Sequence, residues 1–365
     1  MSGNIKDQDL SWSGLLLYYF TGTGNALTAG RWLADEAGRQ GLAVHLQAID
    51  RGYRAAESEL REKRLIGFLY PTHGFSLAPS MLYFILRFPR RRGMDVFLLN
   101  TRAGSKLGRW QIPGLSGLAQ LLPMLILLLK GYRIRGGLPL DMPSNWISLH
   151  PAYRKSWIDF LLGRCEKETR LFIADILAGK RKFRRVLISL PFDLAVLPIS
   201  VLYYLIGRFA LAKTFMYSIN CDACMICADN CPVGAISIKG NRPYWSFHCE
   251  SCMRCINNCP RLAIQSSHLI LAIMILISML PFAVWILMAT PFSNLITVPF
   301  AGTLIDGYIV LFIMYCLYMI IQRLLKLRFV NGIFSYTALT YYWKRYRAPG
   351  IRLKDYQQKT SRQNV

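Results

Sequence analysis

The segment Cys221-x2-Cys224-x2-Cys227-x3-Cys231-Pro232 is followed by a second copy of the same spacing, Cys249-x2-Cys252-x2-Cys255-x3-Cys259-Pro260. No other feature restricts the fold so tightly, because eight thiols at these intervals must be wrapped around something. Three thiolates on one tight loop reach three corners of a cubane, while the fourth cysteine, turned away by the proline that follows, ligates the cluster of the other motif. Crossing the ligands places one [4Fe-4S] cluster on Cys221, Cys224, Cys227 and Cys259, and a second on Cys231, Cys249, Cys252 and Cys255. A zinc ribbon closes one tetrahedral site from two CxxC pairs on a longer spacer and would leave thiolates over. A disulfide framework needs an oxidising compartment, and the polar stretch Met1 to Gly14 offers no apolar signal region for export. Cys165 and Cys316 fall outside both motifs and are read as packing residues.

The repetition continues past the ligands. Cys231-Pro-Val-Gly-Ala235-Ile236 is echoed by Cys259-Pro-Arg-Leu-Ala263-Ile264, as expected of a duplicated supersecondary unit. Residues 214–267 resemble the bacterial two-cluster [4Fe-4S] ferredoxins, which implies a small α+β domain. That family usually places glycine after the second cysteine of each motif, where this chain has Met225 and Met253.

In the N-terminal half, the apolar run Leu15 to Phe20 ends in Thr21-Gly22-Thr23-Gly24-Asn25, and Ala26 to Gln40 reads as a helix. Strand, hydroxyl- and glycine-rich turn, helix is an arrangement that aims backbone N–H groups and a helix N-terminus at a phosphate. Neither a GxGxxG nor a Walker lysine is present. Val44–Ile49, Leu65–Tyr70 and Val96–Leu99 read as buried parallel strands, with an apparent last strand near Tyr132–Ile134. Their alternation with helices predicts a doubly wound α/β sheet, whose ligand sits at the carboxyl ends of the strands. Loops 71–76 and 100–105 emerge there beside the phosphate turn.

With those loops in view, residues 13–179 resemble the flavodoxins. The resemblance implies that Thr21, Gly22, Thr23, Gly24 and Asn25 hold the phosphate of FMN. It also implies that Thr72, His73, Gly74 and Phe75, with Asn100, Thr101, Arg102, Ala103 and Gly104, flank the flavin ring. His73 and Phe75 are the candidates to stack on it. Ala26 stands where the family usually has a further hydroxyl.

Composition decides what surrounds these two units. The chain is 53% hydrophobic yet carries a formal net charge of +24, a pairing that suits an anionic membrane surface better than nucleic acid, for which no module is recognisable. From Leu269 to Ile305 there is no charged residue. Leu269–Thr290 is long enough to cross a bilayer, Pro291, Asn294 and Pro299 mark a turn, and Gly307–Ile321 can return. Arg323, Lys326 and Arg328 then place both ends of the hairpin in the cytoplasm by the positive-inside rule. Val186–Gly207 is also apolar but contains Asp193, Pro191 and Pro198. A charge there costs about 2.5–3.5 kcal/mol at the bilayer centre, so this segment is expected to dip into the cytoplasmic leaflet rather than cross. Leu115–Leu129, interrupted by Gln120 and Pro123, is expected to cover the sheet.

The organisation read from sequence is therefore a flavodoxin-like FMN domain over 1–180, a membrane-associating linker over 181–213 and a ferredoxin domain over 214–267. A transmembrane hairpin over 268–325 and a basic tail over 326–365, suited to anionic lipid or an acidic partner, complete it. The fused flavodoxin–ferredoxin proteins of anaerobic bacteria and archaea share the first and third of these parts. That likeness implies a membrane-attached electron carrier, its redox domains on the cytoplasmic side, with a protein redox partner. The alternative is an FMN-dependent oxidoreductase acting on a quinone or a small organic substrate.

Overall fold

The computed structural model describes residues 12–60, 63–107, 110–288 and 300–356. The expected hairpin turn at Pro291, Asn294 and Pro299, and most of the polar N-terminus, lie outside them. Through the N-terminal half the elements run β1 Gly14–Tyr19, α1 Asn25–Arg39, β2 Val44–Ala48, β3 Arg64–His73, β4 Ser76–Leu77, α2 Pro79–Arg87, β5 Asp95–Leu107, β6 Trp110–Ile112, α3 Leu118–Leu129, β7 Arg133–Pro143 and α4 Lys155–Leu177. The parallel strands lie in the order β2-β1-β3-β5-β7, with β6 folded back antiparallel on β5. This is the doubly wound order of flavodoxin-like sheets.

The period-two alternation of β1 explains both faces of the sheet. Leu15, Leu17 and Tyr19 pack with α1 and α4 through Leu33, Phe172 and Ile173. Leu16, Tyr18 and Phe20 pack on the other side with α2 and α3 through Met81, Ile85 and Leu127. A strand covered on both faces needs no polar positions, which is why β1 reads as an unbroken apolar run.

The strands reach further than their apolar runs. Residues 100–105, expected as a loop, continue β5, and Thr72 and His73 continue β3. The reason is pairing with β7, which holds register from Asn100↔Pro139 through Gly104↔Pro143. Buried Arg102 and Asp141 face each other across that ladder at 2.7 Å, so the charge is compensated where no apolar side chain marks the strand.

Val186–Gly207 folds as α5 Arg184–Ala195, α6 Leu197–Leu202 and a π turn at Tyr203–Gly207, continuing into α7 Arg208–Lys213. The segments on either side of Val196 are bent by 74°. Asp193 does not face outward. It is 2% exposed, and its carboxylate accepts the N–H groups of Ser116 (2.6 Å) and Gly117 (3.0 Å) at the start of α3 and the hydroxyl of Ser189 (2.7 Å). Leu187, Ile188, Phe192, Leu202, Leu205 and Ile206 point the other way, each 58–64% exposed, and Leu125, Leu128 and Leu129 of α3 are exposed too.

The cysteine-rich unit comprises β8 Phe215–Tyr217, α8 Ile226–Asp229, β9 Ile236–Lys239, β10 Arg242–Trp245, α9 Arg254–Asn258 and β11 Ile264–Ser266. Its strands form two antiparallel pairs, β8 with β11 and β9 with β10. Two long helices follow, α10 His268–Met288 of 21 residues and α11 Phe300–Leu324 of 25 residues. Among the described residues no single helix is long and apolar enough to cross a membrane. Their bases are anchored, since Ile270, Ile321 and Leu325 pack with Met216 and Tyr217 of β8, and with Phe334 of α12 Arg328–Tyr336.

The chain then doubles back. Arg345 lies across the cysteine unit, its guanidinium donating to the carbonyls of Ile256, Leu262 (2.7 Å) and Ile264 (2.8 Å). Tyr346 donates its hydroxyl to Asn25 Oδ1 (2.7 Å), and the Ala348 N–H bonds the Thr23 carbonyl (2.8 Å). The tail, expected to face lipid or a partner, is in this stretch a strap that ties the third domain to the first.

Candidate functional site

Thr21–Asn25 connects β1 to α1 at the carboxyl edge of the sheet. Its side chains build the turn: Thr21 Oγ1 accepts the Gly24 N–H (3.0 Å), Thr23 Oγ1 accepts from Asn145 Nδ2 (2.9 Å), and Asn25 Nδ2 donates to the Pro143 carbonyl (2.9 Å). Each hydroxyl keeps its own O–H free to donate, and the first N–H groups of α1 have no intrahelical acceptor.

Apart from Gly24, these residues share one cleft of about 80 Å³ with Pro71–Gly74, with Thr101, Arg102 and Ala103, and with Pro143–Trp146 beyond β7. Four expected site residues stand apart from it, the first being Gly24, which packs against Ile351 and Ala348. Asn100 is wholly buried and bonds Thr72 Oγ1 (2.7 Å), Ser116 Oγ (3.0 Å) and Gln120 (2.5 Å), so it fixes the loops without lining the cleft. Phe75 sits in the left-handed region (φ 62°), and its carbonyl is taken by Leu118 N–H (2.9 Å) and Ser200 Oγ (2.7 Å). Gly104 is packed against the Asp141 backbone.

His73 does line the cleft. Its ring meets Phe20 edge-on at 6.4 Å, its Nδ1 is buried with no partner among the described residues, and burial pushes it down to about 4, keeping the imidazole neutral. A buried, unpaired ring nitrogen beside a phosphate-type turn is what a heteroaromatic ligand with carbonyl and N–H groups would satisfy. The residues present therefore fit a flavin mononucleotide.

The cysteine unit closes this cleft. Ser251, Cys252 and Met253 line it, as do Tyr203 and Leu211. The Cys252 carbonyl lies so close to Gly22 that a Cβ there would meet the oxygen at 2.0 Å, and a Cβ on Gly74 would meet the Tyr203 ring at 2.1 Å. Arg254, 3% exposed, bridges the two domains by donating to the Thr21 carbonyl and to the Asp50 carboxylate, both at 2.5 Å.

The eight thiols fall into two neighbourhoods. Cys227 is raised to about 12 by burial and by Cys221, Cys259 and Cys224 beside it. Cys255 is raised by burial and by Cys249, Cys252 and Cys231. Cys221, Cys224, Cys227 and Cys259 surround one cavity, along with Cys255. The backbone repeats as the sequence does. Ala223, Met225 and Gly234 of the first motif and Ser251, Met253 and Leu262 of the second all take φ of 50–63°, and Sγ of Cys231 and of Cys259 each accepts an N–H from four residues on at 3.2 Å.

Among the described residues no three His, Cys, Asp or Glu side chains converge closely enough for a single metal ion. Zinc with Zn–S of about 2.3 Å requires sulfurs within about 4 Å of one another, whereas a polynuclear core holds each thiolate on a different metal atom. Cys165 stays apart, its thiol buried and donating to the Asp141 carbonyl at 3.2 Å.

Sequence reasoning missed Ser144–Trp146, Tyr203, Arg254 and Tyr346. The first group follows the last parallel strand, so the rule placing ligands at carboxyl ends could have found it. The others come from distant segments and carry no spacing signal.

No family model matches the chain, and no curated protein does. Among solved structures it is similar to a flavodoxin from the domain Archaea, at 12% identity and TM-score 0.30 over 45% of this chain and 99% of that one. It is also similar to oxidised flavodoxin 1 from Bacillus cereus, at 15% identity and TM-score 0.30 over 43% and 97%. General stress protein 14 from Treponema denticola, solved in complex with FMN, gives 10% identity and TM-score 0.29 over 45% and 99%.

Proposed function

We propose that this chain is a membrane-attached electron-transfer protein. FMN binds in the cleft of Thr21–Asn25 and His73, one [4Fe-4S] cluster on Cys221, Cys224, Cys227 and Cys259, and a second on Cys231, Cys249, Cys252 and Cys255. A flavin exchanges electrons in pairs or singly and each cluster exchanges one, while the protein supplies orientation and tuning. The observation that carries this reading is the seat of Cys252 on Gly22, which brings a thiol loop into the wall of the nucleotide cleft. Burial grades along the path, with Cys231, Cys249 and Cys252 buried and Cys224 exposed. The second set therefore faces the flavin and the first faces a protein partner.

The apolar outer faces of α3, α5 and α6 rest on the cytoplasmic leaflet, and the uncharged stretch 269–305 takes the chain through the bilayer and back. Anaerobic purification followed by iron, sulfide and flavin analysis and EPR of the reduced protein tests the reading. Two interacting cubane signals and one FMN per chain are expected. A colourless protein, or one holding only zinc, overturns it.

A further inference from the structure

A second cleft, of about 620 Å³, shares no lining residue with the first. It lies between α2, the turn at Tyr53–Ala55, the start of α7 and the loop Phe247–Glu250. Its aromatic wall is Tyr53, Phe84, Phe88 and Phe209. Two buried polar groups reach into it with capacity to spare. Glu250 is 8% exposed and accepts the Ser80 hydroxyl on Oε1 at 2.8 Å, while its Oε2 has no partner among the described residues. Arg208 is held between the rings of Tyr204 (4.6 Å) and Phe209 (4.4 Å), and its buried Nε likewise lacks a partner among them.

The two ends of the cleft differ in kind. Cys249, a member of the buried thiol set, lines it at one end. At the mouth, Tyr83 is half exposed, and just before Arg208 in the chain stand Leu205 and Ile206, part of the outward apolar face of the linker. Flat aromatic walls suit a planar ring, a guanidinium N–H suits a ring carbonyl, and the apolar rim suits a hydrocarbon tail.

We propose that this cleft binds the ring of a lipid-soluble quinone, Arg208 donating to a ring carbonyl and the tail leaving past Tyr83, Leu205 and Ile206 toward the bilayer. The proposal rests on the electron-transfer reading and deepens it by naming an acceptor. Conversion of the quinone to its quinol takes two electrons and two protons. With a cluster bound, the Cys249 set would supply the electrons one at a time, and water in the cleft would supply the protons.

The test is photolabelling of the full chain in phosphatidylcholine nanodiscs with an azido-naphthoquinone, labelled peptides being mapped by mass spectrometry. Saturable labelling within 79–88, 205–209 or 247–250, displaced by unlabelled menadione, is expected. Ala55→Trp, which fills the cleft from a half-buried position, and Arg208→Leu should each lower it at least tenfold. Should Arg208→Leu fail to fold, Ala55→Trp alone decides. Labelling that does not saturate, that spreads over α3 and α5, or that survives Ala55→Trp overturns the site, as does a phospholipid retained there in place of the probe. Iron and flavin are assayed on the same samples. Saturable labelling without iron leaves the site standing and removes the relay, whereas two clusters without saturable labelling remove the site alone.

Discussion

Met225 and Met253 occupy left-handed backbone (φ 61° and 62°) at the positions where two-cluster ferredoxins usually carry glycine. A side chain there costs roughly 1–2 kcal/mol. The two methionines differ in what offsets that cost, since Met253 is 3% exposed and contacts Ser148, whereas Met225 is half-buried. Met225→Gly should therefore be neutral or stabilising by up to about 1 kcal/mol, and Met253→Gly destabilising by about 1–3 kcal/mol. Anaerobic urea unfolding of the loaded protein measures both, and the reverse ranking would refute the account. His73 sets a pH dependence. Unfolded, its imidazole takes up a proton near 6.5; folded, it does so only near 4. Stability is thus full above about 6.5 and falls as the pH drops from there toward 4. In His73→Gln the urea midpoint should change less across that window, and an unchanged slope would remove His73 from the cause. At this scale the repeated backbone of the two cysteine motifs was legible because the repeat is written in their spacing. Tyr203 over Gly74 and Tyr346 on Asn25 were not, because each joins segments more than a hundred residues apart.

Among the elements, α5 shows how an apolar segment with an aspartate resolves its conflict. Asp193 turns inward to take two backbone N–H groups at the start of α3, so one carboxylate both anchors the linker and satisfies a helix entry. Asp193→Ala leaves those buried donors unmatched, at a cost of about 2–4 kcal/mol. Hydrogen exchange should show protection falling first at Ser116 and Gly117; exchange unchanged there would mean water replaces the carboxylate at no cost. Asp193 and two prolines foretold a break in the segment, which bends by 74°, but not the partner that makes the aspartate tolerable. The same limit shortened β5 and β7. Hydrophobic runs mark where a strand is buried by apolar packing, and both strands continue on hydrogen bonds and on the Arg102–Asp141 pair, which periodicity does not see.

For the molecule as a whole, three cores are joined rather than merely adjacent. Cys252 and Val233 pack with the sheet residues, and Trp146 and Ile147 pack with the cysteine unit. Lys213 pins α11 to the cysteine unit, its ammonium 3.9 Å from the Phe247 ring and 4.8 Å from that of Tyr318 on α11, with a hydrogen bond to the Trp245 carbonyl at 2.9 Å. If both redox domains lie on the cytoplasmic side, trypsin should cut near Lys180–Arg185 and near Lys354 in inverted vesicles and at neither in sealed right-side-out ones. Cutting at only one of them in either preparation would mean an odd number of crossings. The strap over both domains carries a further meaning for how the protein is made. Thr23 leaves the ribosome long before Ala348 emerges to bond it. A chain clipped or stalled before residue 345 would bear every cysteine, yet the turn at Thr23 and Asn25 would stay unlatched, so the cleft is completed only once the strap has been made.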